Sequence, residues 1–299
     1  MLNLDQITNP VYRRADNVRD PSVLPLEKGY AIFYSRHSNL DWGPAENWAI
    51  ALAYTEDFIT FSDDRDITPK GYASPGDAVF WHGRYVLVFQ KYPGYARLCY
   101  SESSDAVNWS RPQAYLEEVL KLPWNEFERA IDPTLVIDGD TLHCFFVGSC
   151  ARKTRKGHAN LLGHAVTQDP ALKTWEILTV DKPLMGYDRI EEGGIENVTV
   201  FRAGGQWVMI SSEDLGPSQH LAVSTSPDLI TWQRQDAIRL PRQKWMAVSE
   251  GAPYVWQEGD AYWMILMGVD ETQKTSAGLL YSADGFNWTP AKEGAIAPR

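Results

Sequence analysis

The stretch AIDPTLVIDGDTLHCFFVG, residues 130–148, decides the fold. It holds an acidic head at Asp132, a short apolar run, a Gly-bearing turn at Asp138–Asp140 and a second apolar run. The same order returns four times. The heads are RDPSVL at Asp20, PGDAVF at Asp77, IENVTVF at Glu196 and SEGAPYV at Glu250, with steps of 57, 55, 64 and 54 residues along the series. The second runs are GYAIFYS from Gly29, GRYVLVFQ from Gly83, GQWVMISS from Gly205 and AYWMILMG from Ala261. One carboxylate at the same point of five repeating units implies five carboxylates around one axis.

Each unit continues. A third apolar run follows (WAIALAYT, ARLCYSE, NLLGHAV, HLAVSTS, AGLLYSA), then a turn ending in an aromatic residue (TEDFITF, SSDAVNW, DPALKTW, SPDLITW, SADGFNW). A unit of this length with four strand-like runs and turn chemistry between them is the signature of a propeller blade. Such a sheet is apolar on both faces, so one unit cannot bury its surface alone and must stack on neighbours. Five units nearly fill the 299 residues. The expected architecture is all-β: one domain over residues 1–299, a five-bladed β-propeller with four antiparallel strands per blade. In the turns, Asp105, Asp228 and Asp284 are expected to bond their own backbone, with Trp109, Trp232 and Trp288 packing between sheets.

Composition sets bounds. Apolar residues make up 44%, with 12 Trp, 14 Tyr and 10 Phe, enough for a large sheet-on-sheet core. A net charge of −11 repels phosphates and argues against nucleic acid or an anionic membrane as partner. No run of 18 apolar residues occurs, so no transmembrane helix is expected. The opening MLNLDQITNPVYRRAD has no apolar h-region and no cleavage signature, which predicts a cytoplasmic protein. Cys99, Cys144 and Cys150 are odd in number, lie in or beside strand runs and lack metal spacing. They read as buried thiols in a reducing compartment.

In a propeller the innermost strands run along the central channel, and their first residues surround its mouth. The five heads are therefore expected to converge at one end of the axis. Crowded carboxylates cannot all ionise independently: repulsion and burial raise some pKa values while others stay low. That split supplies an acid and a base at neutral pH, the requirement for cleaving a glycosidic bond. Calcium binding is the competing use of clustered carboxylates, but no EF-hand pattern occurs.

These heads carry a resemblance. RDPS at Asp20, PGDAVFWHGRY at Asp77, AIDPTLVIDGD at Asp132 and IENVTVFRAGGQW at Glu196 resemble glycoside hydrolase family 43 and its five-bladed relatives through all five units. The resemblance implies that Asp20 is the general base activating water, that Asp132 tunes and orients the acid, and that Glu196 protonates the leaving oxygen. It implies an inverting hydrolase of arabinofuranosides or xylosides; a short chain without an attached carbohydrate-binding module is expected to be exo-acting on small oligosaccharides. The alternatives are a related five-bladed α-galactosidase or anhydro-sugar hydrolase, or a non-catalytic sugar-binding propeller. No cofactor is required, although the resemblance leaves room for a structural calcium ion in the channel.

Two departures stand out. The family's acid sits in E-G-P or E-A-P, whereas Glu196 is followed by Asn197 and Val198; the string EGAP falls at Glu250. Glu196 lies nine residues before Gly205, as Asp20 does before Gly29, which places both heads alike and favours Glu196 over Glu250, Glu191 or Glu192. No His follows His220, so the family's fifth-blade His has no counterpart.

Secondary candidates complete the set. Asp77 matches a second-blade position that holds the sugar or the channel network. Trp42, Trp48, Trp81 and Trp245 could present a ring to a sugar or pack in the core; Trp81 is carried as substrate-binding, as are Glu250 and Arg19, the last as a partner that keeps a neighbouring carboxylate ionised. His37 and His164 fall near strand ends, His82 in a turn, and the RKTRK run at 152–156 reads as a solvated loop.

Overall fold

The computed structural model describes residues 2–37, 45–92, 96–151, 158–186, 193–214 and 219–295. Trp42, Glu191, Glu192 and the RKTRK run lie outside them.

Five antiparallel blades form a closed ring. The inner strands are Asn17–Pro25, Ala78–Trp81, Ile131–Asp138, Ile195–Ala203 and Ser249–Glu258, and each touches the inner strand of the blade on either side. In blade 2 a short segment, Tyr72–Ala73, precedes the inner strand and pairs with the same neighbour, Arg84–Lys91. The second strands of the other blades are Tyr30–His37, Thr141–Cys150, Gln206–Glu213 and Ala261–Val269. Third strands follow at Ala49–Thr55, Arg97–Ser103, Ala159–Thr167, His220–Ser226 and Thr275–Ser282. The fourth strand is Phe61–Asp66 in blade 1 and only two residues in each of the others, which keeps the exposed sheet edges short. Among the described residues no helix is long and apolar enough to cross a membrane.

The two-residue period of a strand explains the stacking. In the second strand of blade 1, Ile32 and Tyr34 pack against Trp263 and Ile265 of blade 5, whereas Ala31 and Phe33 pack against Leu87 and Phe89 of blade 2. The other three interfaces repeat this: Val86 and Val88 meet Cys144 and Phe146, Phe145 and Val147 meet Trp207 and Met209, and Val208 and Ile210 meet Met264 and Leu266. Among the described residues the core is divided into five slabs, each shared by two blades, with a small cluster of Ala252, Met267 and Val269 in blade 5 besides. Truncating one of these buried rings, such as Phe145, to Ala costs about 3–5 kcal/mol.

The repeated turns close as their chemistry predicts. Asp105 Oδ1 accepts from the backbone N–H groups of Val107 and Asn108 at 2.9 and 2.8 Å. Asp228 and Asp284 make the same pair of bonds. Trp109, Trp232 and Trp288 pack against the slabs beside them. Ring closure was not legible in the sequence. Thr8–Asn9 runs parallel to Lys292–Glu293, and the buried Asn9 side chain donates to Leu279 O at 3.0 Å and accepts from Leu279 N at 2.7 Å. The N-terminal segment thereby joins the outer edge of blade 5.

The inner strands share one irregularity that matters for the site. In blades 1, 3, 4 and 5 the register slips by a bulge between Arg19 and Ser22, Ile131 and Thr134, Glu196 and Thr199, and Gly251 and Tyr254. The residue inside each bulge has positive φ: Asp20 (49°), Asp132 (48°), Asn197 (46°) and Ala252 (48°). Ser74, also at φ 48°, takes this place in blade 2. A bulge re-aims its side chain, and Asp and Asn tolerate the left-handed backbone better than most residues. The true five-fold set is thus Asp20, Ser74, Asp132, Asn197 and Ala252, which corrects the expectation that the five acids are equivalent. Asp77 comes three residues after its blade's bulge position, Glu196 one before and Glu250 two before. The shared nine-residue spacing misled because the hairpin turn of blade 1 holds four residues, 26–29, and that of blade 4 only Gly204 and Gly205.

Candidate active site

Asp20, Asp132 and Glu196 line one cavity of about 240 Å³ at the mouth of the channel. Arg19, Trp48, Ser74, Gln90, Tyr92, Arg129, Ile131 and Asn197 complete its wall.

Asp20 is held by serines of two blades. Ser35 Oγ donates to its Oδ2 at 3.1 Å and Ser74 Oγ at 3.2 Å, while the Ser74 N–H donates to Ser35 Oγ at 2.7 Å. Asp132 is fixed through its backbone, whose N–H donates to Gln90 Oε1 at 2.6 Å. Burial raises the Asp132 carboxyl to about 8, reinforced by the negative charges of Glu196 and Asp20 and opposed by Arg129 and a hydrogen bond with Ser74. Burial, with repulsion among three carboxylates in one cavity, therefore holds a proton that an ordinary aspartate would have lost. Glu196 is half-buried; its Oε1 accepts from Asn160 Nδ2, with Arg129 Nη2 4.0 Å away.

The remaining predicted residues separate into two groups. Arg19 belongs to the cavity, its guanidinium 4.7 Å over the Trp48 ring. Trp48 stacks in turn on His37, at 4.5 Å and 4° between planes, so its ring serves protein side chains. Burial and the nearby Arg19 push His37 down to about 4, which keeps the imidazole neutral. Asp77 lies next to this cavity, in a small space it shares with Asp20, Asp132 and Tyr254. Its Oδ2 accepts from Leu135 N at 2.8 Å, and Tyr254 hydrogen-bonds it as well. Burial raises it to about 7, and it ties blade 2 to blades 3 and 5.

Glu250, Trp81 and Trp245 lie elsewhere. Glu250 is buried against Arg242, which bonds its Oε2, and is not among the residues lining the cavity. It sits two positions before the bulge, so its side chain emerges from the sheet on another course than a bulged residue's. Trp81 is buried beside the blade 2 hairpin turn in the slab between blades 2 and 3, at the far end of its strand from Ser74. Trp245 is fully buried between blades 4 and 5, where Gly268 and Gly278 make room: a Cβ on either would stand 2.3 Å from its ring. His164 is buried against Phe145 and His143, away from the mouth, and His82 occupies the turn after Trp81. Cys99, Cys144 and Cys150 are free and buried. No group of three or more His, Cys, Asp or Glu able to hold a metal ion occurs among the described residues.

Ser74, Gln90, Tyr92, Arg129 and Asn160 are among the site's residues that escaped the sequence reading. Ser74 had a signal: its Ser-Pro dipeptide matches Asp20-Pro21, Asp132-Pro133 and Ala252-Pro253. Gln90, Tyr92 and Asn160 lie inside strand runs or just beyond them, and nothing in their spacing marks them.

No protein-family model and no curated protein sequence matches the chain. Solved structures do. A thermostable family-43 glycoside hydrolase superposes with a TM-score of 0.70 at 15% identity, covering 98% of this chain and 99% of that one. The α-L-arabinanase of Cellvibrio cellulosa complexed with arabinohexaose gives 0.63 at 14% identity, over 92% and 94% of the two chains. A family GH43_1 enzyme of Xanthomonas citri complexed with xylotriose gives 0.66 at 14% identity, over 99% and 97%. The chain therefore carries, over nearly its whole length, the five-bladed propeller fold found in family-43 glycoside hydrolases.

Proposed function

We propose that the protein is an inverting glycoside hydrolase that removes arabinofuranosyl or xylosyl units from the ends of small oligosaccharides. The observation that carries this reading is the meeting of Asp20, Asp132 and Glu196 in one cavity, on a fold shared with glycoside hydrolases. Asp20 acts as general base. Both serine hydroxyls donate to its Oδ2, which leaves Oδ1 to take the proton of the attacking water. Glu196 gives its proton to the leaving oxygen from the opposite face of the sugar. Asp132, buried beside both, keeps a proton in the cluster at neutral pH. In an inverting reaction the acid and the base act once each, and water adds directly to the anomeric carbon.

A panel of aryl glycosides covering arabinofuranose, xylose, galactose and fucose tests this. Turnover of the first two is expected. Proton NMR of the first-formed product should show the anomer opposite to the substrate. Retention of configuration removes the role given to Asp20. Sugar binding without turnover of any glycoside leaves a non-catalytic sugar-binding propeller.

A further inference from the structure

We propose that Asn160 is a positioning residue for Glu196, fixing which of its oxygens carries the proton; this rests on the acid role proposed above. Asn160 is buried at 1% exposure on the third strand of blade 3, whereas Glu196 belongs to the inner strand of blade 4. The amide can face only one way. Its Oδ1 accepts from Ser149 Oγ at 2.7 Å and from Arg129 Nη1 at 3.3 Å. Arginine has no acceptor, so the atom facing it must be the oxygen, and Nδ2 is turned onto Glu196. Nδ2 donates to Oε1, and Arg129 Nη2 stands 4.0 Å from that same oxygen. With the Asn160 N–H on Oε1 and the Arg129 cation beside it, a proton there would meet another hydrogen. The acidic proton is therefore confined to Oε2.

The backbone is built to the same end. Asn160 N donates to Gly193 O at 3.2 Å, and Asn160 and Gly194 form a parallel bridge. Gly194 has φ +101°, and a Cβ there would stand 2.3 Å from Asn160 O. Only glycine lets the chain lie this close to Asn160 two residues before Glu196. Among the described residues, Arg129, Asp132 and Tyr92 also act on Glu196, and Arg19 and Asp20 share its cavity.

The test uses phenyl and 2,4-dinitrophenyl glycosides of the sugar that the panel selects. Asn160→Ala should lower kcat at least 100-fold on the phenyl glycoside, which needs protonation, and less than 5-fold on the dinitrophenyl one, which does not (both on the order expected for a general acid). The alkaline limb of kcat/KM should move up by about one pH unit, because the carboxylate form loses a donor. Asn160→Asp, isosteric and still able to accept from Arg129 and Ser149, should move that limb further up by repulsion. Equal losses on both substrates, or an unmoved limb in both variants, overturns the proposal. If Glu196→Ala itself shows no leaving-group dependence, the acid reading fails and the positioning role goes with it. If Glu196→Ala shows it and neither Asn160 variant does, only the positioning role fails.

Discussion

Gln90 ties Asp132 to Tyr92: its Oε1 accepts the Asp132 backbone N–H at 2.6 Å, and its Nε2 donates to the Tyr92 hydroxyl at 3.1 Å. Asp132 sits at φ 48°, in a region that costs a non-glycine residue on the order of 1–3 kcal/mol. A conformation like that persists only where its surroundings hold it. Gln90, buried in the second strand of blade 2, is part of that hold from across the blade boundary.

Gln90→Leu should therefore destabilise the fold by about 1–3 kcal/mol, the cost of leaving a buried N–H without an acceptor. Urea denaturation at pH 7 measures it. A shift within about 0.5 kcal/mol, ordinary for a surface substitution, would mean that the bulge stands without Gln90.

Gly194→Ala places a methyl group 2.3 Å from the carbonyl oxygen of Asn160, at φ +101°. Neither partner can give way easily, since both contacting groups are backbone or fixed to it. The expected result is a loss of more than about 1 kcal/mol in stability, with activity falling further than stability explains, because Glu196 follows two residues later. Wild-type stability and wild-type kcat together would show that the approach of the two chains is not needed.

The repeat and the strand order were legible in the sequence because both rest on short-range rules. Alternating apolar residues specify strands, and Asp105, Asp228 and Asp284 specify turns through bonds to residues two and three positions on. Asp20, Asp132 and Glu196 could be singled out as heads of repeating units. What failed was register. A bulge adds one residue and a hairpin turn two, neither of which alters the hydrophobic pattern, so Glu250 and Asp77 were counted as equivalents of Asp20 when Ala252 and Ser74 hold that place. Asn160 and Gln90 were invisible for a different reason. They act across blade boundaries, 36 and 42 residues from their partners, and an amide inside a strand run looks like any other polar position.

The acid and the base should separate by leaving group. Glu196→Ala should lose at least about 100-fold on a natural oligosaccharide and far less on an activated aryl glycoside, since a good leaving group departs without protonation. Azide or another small acid should restore part of the loss. Asp20→Ala should lose rate on both substrates alike, because water activation does not depend on what departs. Full activity in Glu196→Ala with leaving-group dependence in Glu250→Ala would move the acid to blade 5.

Asp132 should control both rate and stability through pH, in directions that can be worked out. Its folded carboxyl is raised to about 8, whereas an aspartate in the unfolded chain titrates near 3.9. Below about pH 4 both states hold the proton. Between there and about pH 8 only the unfolded chain releases it, so the unfolded state binds fewer protons and wild-type stability falls as pH rises. Asp132→Asn cannot ionise and should escape that loss. The variant and the wild type should differ least near pH 4, with the variant gaining up to about 5 kcal/mol relative to the wild type by pH 8 in urea denaturation. In kinetics the same substitution removes the carboxyl that shares the cluster's proton, so the alkaline limb of kcat/KM should move to lower pH. The two readouts test one cause from opposite sides: a more stable protein at pH 8 that has already lost its acid. A stability difference that does not change between pH 4 and 8, or an alkaline limb that stays in place, would show that the Asp132 carboxyl is not the group that holds the proton.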